Sequence, residues 1–440
     1  MSRYKHYAAY KDSSVEWLGQ VPETWDIMSV KTIATIDGGA GFPEDEQGYL
    51  DGPIPFYKVA HLIDNMSSVE HTITEETAKR LGAHIFPPGT LVFAKVGAAL
   101  FLNRRSLLSK SACIDNNMMA IMPRRCDPKW LFWVFSNIDM GLVANPGAVP
   151  SVNQEQVGNI KLGLPSTHEQ QAIAAYLDRE TARIDALVDA KNRFIGLLRE
   201  KRQALITHAV TKGLDPNVKM KDSGVEWLGQ VPEHWEVKKI KHTTYLKGRV
   251  GWKGLKSDEY LDEGFAYLVT GTDFSAKLID WGTCYHVSQE RYDDDPFIQL
   301  KNGDLLITKD GTIGKLALVE NLSGFACLNS GIFLVRPENS YTTNFLYWVL
   351  SSNIFSDFCN LNNSGSTIQH LYQNVFEDFA FPIPTGSEQN IIDKYLECET
   401  ARIEALITKT ERSIDLLKER RSALITAAVT GQIDLREVEE

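Results

Sequence analysis

The chain has 440 residues, of which 43% are hydrophobic and 23% charged, with a formal net charge of −11 and a pI near 5.5. That is ordinary globular composition, long enough for roughly two to four domains, and no run approaches the ~20 apolar residues of a membrane span. The acidic balance argues against a uniformly basic nucleic-acid binder. The opening MSRYKHYAAYKDSS lacks the apolar stretch of a secretory signal. Cys113, Cys126, Cys284, Cys327, Cys359 and Cys398 show no CxxC spacing, so reduced thiols in a cytoplasmic protein are expected.

Residues 11–25 read KDSSVEWLGQVPETW, and residues 221–235 repeat them as KDSGVEWLGQVPEHW, with 13 of 15 positions identical at an offset of 210. After the first copy comes a segment, 26–167, with a Gly-bounded strand signal GTLVFAKVG (89–97) and a buried-helix signal PKWLFWVFSN (128–137). NIKLGLPSTHEQ (159–170) then reads as a last strand turning into a helix, with Ser166 or Thr167 as its cap. From 168 to 215 Ile184, Leu187, Val188, Ile195, Leu198, Leu205 and Ile206 recur at helical spacing among charges. A continuous helix of about 43 residues would be ~64 Å long; a break near Asp178–Thr181 is expected as an alternative.

The second half has the same order. The repeated opening segment (216–235) leads into a segment, 236–386, with GDLLITKDGTIG (303–314), TNFLYWVLSSN (343–353) and DFAFPIPTGSEQ (378–389). The last region, 387–440, copies the first long helix at an offset of 219, Glu388 standing against Glu169 and Asp434 against Asp215. Gly213 and Gly431 lie where helix C-caps belong. A period this long marks duplication of whole domains rather than a solenoid. The expected fold is α+β: two α/β domains in a pseudo-twofold repeat, separated by two long antiparallel, coiled-coil-like helical regions. Trp17, Leu18, Val21 and Trp25, with Trp227, Leu228, Val231 and Trp235, are expected to anchor the domain bases.

Catalytic patterns are missing from the sequence. GTIGKL (311–316) has Lys309 and Leu316 where a phosphate loop needs Gly and Ser/Thr, and NPGA (145–148) and DDPF (294–297) each lack one residue of a methyltransferase motif. No zinc-type Cys/His spacing, HExxH or GxSxG is present, so neither cofactor nor metal is expected.

Binding chemistry is concentrated locally. From Lys238 to Lys256 there are seven Lys/Arg and no Asp/Glu. Lys247, Arg249, Trp252, Lys253 and Lys256 are candidate DNA contacts there, since Lys and Arg neutralise phosphate and Arg reads guanine edges. Thr270 and Thr272 in YLVTGTDF, and Lys309, Thr312 and Lys315 in KDGTIGKL, extend the set. In the first half Lys58, His61, Lys95, Arg104 and Arg105 occupy the matching places, whereas IDGGAGFPEDEQ (36–47) is acidic.

The paired VEWLGQVPExW segments, the EQxxI…LxxETARIxAL…LLxExRxALITxAVT helices and the run GRVGWKGL…YLVTGTDF…GDLLITKDGTIGK resemble the specificity subunit of a Type I restriction–modification enzyme. The resemblance covers nearly the whole chain. It implies two target-recognition domains, 26–167 and 236–386, each reading one half of a bipartite double-stranded DNA target. The opening segments 1–25 and 216–235 precede them, and the conserved helical regions 168–215 and 387–440 come after. It further implies that the helices space the domains and dock two modification subunits, which would carry S-adenosylmethionine and methylation, and that restriction subunits join that core. Such a subunit catalyses nothing itself and needs no membrane. The competing reading is a non-catalytic coiled-coil scaffold whose variable domains bind proteins.

Overall fold

The computed structural model describes residues 5–63, 66–145, 147, 149–249, 255, 259–362 and 370–436. The chain divides into two compact units, Met1–Lys191 with Glu411–Glu440, and Asn192–Thr410. Each holds one α/β body and a stretch of each long helix.

In the first unit a four-stranded antiparallel sheet runs in the order Ala34–Gly38, Met118–Pro123, Leu91–Ala94, Arg105–Leu107. Beside it Ile54–Tyr57 pairs in parallel with Cys113–Ile114 and antiparallel with Thr72–Ile73. Continuous burial of Leu91–Ala94 explains its unbroken apolar run, since both faces are covered. The helix Pro128–Ser136 starts where the Asp127 carboxylate accepts the Lys129 and Trp130 amides, and it buries Trp130, Leu131, Trp133, Val134 and Phe135.

The second unit repeats this plan. Thr244–Gly248, Ile332–Pro337, Leu305–Thr308 and Leu316–Leu318 lie side by side, extended by Leu278–Ile279 and Phe274–Ser275. Ala266–Val269 pairs in parallel with Phe325–Leu328. The helix Thr343–Ser351, capped by Thr342, buries Phe345, Leu346, Trp348, Val349 and Leu350.

The long helices span Thr167–Lys212 and Gly386–Val429. The interruption expected near Asp178–Thr181 does not form. The Thr181 hydroxyl donates to the Leu177 carbonyl at 2.5 Å, and Thr400 donates to Leu396 at 2.6 Å. Back-bonding to i−4 satisfies these hydroxyls without ending the helix, and continuity is favoured by the burial of Ile173, Ala174, Leu177 and Ile184 on one face. Gly213 and Gly431 lie just past the helix ends with φ of +74° and +73°, the left-handed cap that favours glycine.

Trp25 joins the helix ends in the first unit. Its indole N–H donates to Glu169 at 3.0 Å, at the start of the first long helix. A Cβ on Gly431, just past the end of the second, would lie 3.2 Å from its ring. Trp235 does the same in the second unit, donating to Glu388 at 3.3 Å and lying 3.2 Å from a Cβ placed on Gly213. Val21, Leu18, Val231 and Leu228 are buried alongside, and the half-buried Trp227 donates to the Ala380 carbonyl. The opposed placement of helix starts and ends makes the helices antiparallel in each unit.

Candidate nucleic-acid interface

The candidate residues gather at one end of each sheet. In the second unit the strands Thr244–Gly248, Ala266–Val269, Leu305–Thr308 and Phe325–Leu328 all finish there, and Leu316–Leu318 and Ile332–Pro337 begin there. The loops they emit carry Thr270, Thr272, Lys309, Thr312 and Lys315, with Lys247 near the end of its strand. The loops are close neighbours: a Cβ on Gly271 would lie 2.9 Å from Thr308 Cγ2, and Leu371 donates its amide to the Lys309 carbonyl.

Each side chain has a defined place. Lys309 Nζ sits 4.9 Å over the Phe333 ring, half-buried. Lys315 comes after a turn in which the Thr308 hydroxyl donates to the Thr312 carbonyl and accepts the Lys315 amide. Thr270 shares a 2.7 Å hydroxyl contact with Thr272. His370 meets Asp310 across the same rim. Trp252, Lys253 and Lys256 lie outside the described residues.

The first unit builds the same rim from its own strand ends. Tyr57 accepts the Asp115 amide at 2.9 Å and Asn117 accepts the Lys95 amide at 2.8 Å; in the second unit Val269 accepts from Asn329 at 2.9 Å and Gly331 from Lys309 at 2.9 Å. Lys95 is therefore the register counterpart of Lys309. Lys58 Nζ donates to Gln47 Oε1 at 2.7 Å, and Arg104 lies beside the strand Arg105–Leu107. The acidic loop after Gly38 passes against the rim so closely that a Cβ on Gly39 would meet the Asp115 carbonyl at 1.9 Å. Glu46 in this loop is paired with Arg80 at 2.5 Å, which holds its carboxyl below the usual range.

Two arginines of the expected set point inward. Arg105 is 7% exposed and donates to the Asn103 and Ile138 carbonyls and to Asn103 Oδ1; burial pulls its pKa down to about 10. Arg249 is 2% exposed, with Nε on the Leu328 carbonyl and Nη2 3.5 Å from Cys327 Sγ. Both brace the strands under the rim. Strand alternation decides which way such a residue faces, and the charge that drew attention to it carries no direction.

His61 is also buried, and with Glu70 and His71 it brings three potential ligand atoms within 4.8 Å of one another. The proton polarity does not suit a metal. Backbone amides can only donate, and the Lys58 and Gly48 amides donate to Nδ1 of His61 and His71 at 2.8 and 2.7 Å. With Nδ1 accepting, the ring proton lies on Nε2, the atom that faces Glu70 at 3.5 and 3.8 Å. Metal-binding imidazoles show the reverse, donating from the ring nitrogen away from the ion. Burial, with a smaller effect of the neighbouring His61, pushes the His71 pKa down. Asp273, the matching buried residue of the second rim, lies in YLVTGTDF beside the candidate threonines; the motif marks an Asp at a strand end, but nothing in the sequence marks it as buried.

Each half of this duplicated α+β protein thus presents one loop rim. A family model described as the Type I restriction modification DNA specificity domain matches residues 22–193 and again 232–414. The chain belongs to this family, and it is accordingly a non-catalytic specificity subunit of the restriction–modification type, with DNA recognition as its role.

Relatives match over the full length in some cases and over part of the chain in others. The MjaVIII type I restriction enzyme specificity subunit of Methanocaldococcus jannaschii is 22% identical over 430 residues, covering 95% of each chain. The EcoKI specificity subunit of Escherichia coli is 23% identical over 214 residues, covering 47% of this chain and 44% of its own. Among solved structures, a chain from a study of assembly and conformational transition of the type I R-M system superposes with a TM-score of 0.72 at 16% identity, covering 93% of this chain and 98% of that one. The HsdS subunit of Thermoanaerobacter tengcongensis gives 0.56 at 16%, covering 94% and 98%. These likenesses establish the fold. With the family in place, the protein-binding scaffold is not the favoured reading.

Proposed function

We propose that the two rims read the two halves of a bipartite, asymmetric DNA target, residues 26–167 serving one half and 236–386 the other. The observation that carries this reading is the duplicated rim itself. The backbone bonds at its base are the same in both halves, while the presented side chains differ, Lys58 against Thr270 for example. Lys58, Lys95, Arg104, Lys247, Lys309 and Lys315 are among the described basic groups placed to meet phosphates or bases.

The long helices serve as docking faces for two modification subunits. Leu187 and Leu197 are exposed on the first helix, and Leu406 and Leu416, each 219 positions later, are exposed on the second. Apolar residues left in water at matching repeat positions fit a partner that arrives in two copies. Restriction subunits join this core, and the assembly works in the cytoplasm; no helix among the described residues is long and apolar enough to cross a membrane.

The test is methylome sequencing of a host expressing the chain with its modification partner. Exchange of residues 26–167 for another such domain changes one half-site and leaves the other intact. A target altered in both halves overturns the modular reading. Insertion of four residues within 191–203 changes the nonspecific spacer and keeps both half-sites.

A further inference from the structure

One turn closes both rims with the same bond and a different acceptor. In the first half the Lys58 amide donates to His61 Nδ1 at 2.8 Å, and in the second the Thr270 amide donates to Asp273 Oδ2 at 2.7 Å. Strand register makes these positions equivalent. Tyr57 pairs in parallel with Ile114, and Val269 with Leu328, as the last members of their ladders. Lys58 and Thr270 are the next residues along, and each acceptor lies three residues further.

Both acceptors are inside the protein, His61 at 4% exposure and Asp273 at 3%. DNA on the rim cannot touch them. A buried polar group left unbonded is costly, so each is held in its turn. Asp273 also accepts the Thr270 hydroxyl at 2.8 Å and the Thr283 hydroxyl at 3.3 Å. His61 is packed among Tyr57, His71 and Glu70. On the outer side of the first turn Lys58 leans on Gln47.

We infer that His61 and Asp273 are positioning residues for base reading: each acts through the rim residue whose amide it holds, Lys58 or Thr270, and neither contacts DNA. The inference rests on the rims being half-site readers. It assigns His61 a different part from the direct contact expected of it. An acceptor of either chemistry closes the turn, because only a lone pair facing the amide is required.

The experiment is methylome sequencing of a host expressing the full chain and its modification partner, with thermal melting of the purified complex. If the parent chain yields no bipartite motif, the functional reading fails and this inference has no object; a motif from the parent lets each variant be scored half-site by half-site. His61→Leu removes the acceptor and relaxes bases only in the half-site assigned to residues 26–167, with about tenfold or greater loss of discrimination there. His61→Asn keeps an acceptor and restores the motif. Lys58→Ala relaxes the same bases, and the double variant K58A/H61L is no worse than either single one. Asp273→Leu relaxes only the other half. The inference is overturned if H61L keeps parental discrimination, if it relaxes both halves alike, or if H61N melts normally yet fails to restore the motif. Should H61L not fold, K58A with H61N decides, and K58A relaxing no base is a refutation.

Discussion

Arg421 forks onto Asp185, with Nε 2.9 Å from Oδ1 and Nη2 3.3 Å from Oδ2. Arg202 makes the corresponding contact in the other unit, reaching Glu404 Oε2 at 3.1 Å. Positions 202 and 421, and 185 and 404, are each separated by 219, so one pair is the repeat copy of the other. Both are solvent-exposed, which limits each to ~0.2–1 kcal/mol. Asp185→Arg and Arg421→Asp should each lower stability by about that amount, and the exchanged double variant should regain most of it. A double-mutant cycle in denaturant measures the coupling, which shrinks at ~1 M salt as screening shortens to ~3 Å. Zero coupling at low salt would show that the pair adds nothing to the contact between the helices.

Trp25 carries a larger share of the first unit. It is fully buried, and Glu169 accepts both its indole N–H and the Tyr7 hydroxyl, the latter at 2.5 Å. Trp25→Ala should cost ~3–5 kcal/mol from the cavity and lost packing. Trp25→Phe, which loses mainly the hydrogen bond, should cost about 1–3 kcal/mol, since the bond is to a charged group. Amide exchange would accelerate in residues 167–191 and 411–435 for W25A and in the second unit for Trp235→Ala. Equal acceleration everywhere in both variants would contradict separate anchoring.

Much of the architecture was legible because it rests on spacing. The repeats at 210 and 219, the apolar period of the long helices and the Trp-containing opening segments all come from residue order alone. The continuity through Thr181 was harder to see, because its hydroxyl settles on the Leu177 carbonyl only once the helix exists. The rim was partly legible: Lys95, Lys309 and Lys315 lie where Gly-bounded strand ends suggested. Arg105, Arg249 and His61 show the limit. Their charge or polarity was visible in the sequence, but burial depends on which face of a strand or turn they occupy, and that is fixed by tertiary packing.

The inward arginines and the rim lysines should separate experimentally. Arg105→Ala and Arg249→Ala leave carbonyls such as those of Ile138 and Leu328 without these donors, so both should lower the melting temperature, with ~1–3 kcal/mol lost. Lys95→Ala, Lys309→Ala and Lys315→Ala should melt normally and weaken DNA binding by the complex. For each lysine on a phosphate, the slope of log affinity against log salt falls by about 0.9, uniformly across sequences; a lysine on a base instead relaxes one position. A salt titration of DNA binding distinguishes the two.

Asp393 gives the pH prediction. It is buried in the second long helix with Oδ1 lacking a hydrogen-bond partner among the described residues. Desolvation, aided by the nearby Glu397 charge, pushes its pKa up to about 6, against smaller opposing effects of Lys277 and the Trp348 indole. Its repeat counterpart is the buried Ala174. The unfolded carboxyl titrates near ~3.9, so between about pH 4 and 6 the folded chain binds the proton and the unfolded chain does not. Stability from this group therefore falls as pH rises through that window, and the full penalty is present above about pH 6. Asp393→Asn should stabilise the protein at about pH 7.5 by about 1–3 kcal/mol, and the gain should shrink toward about pH 4. Denaturant unfolding of both proteins at the two pH values checks it, and an equal gain at both would show that ionisation is not the cause.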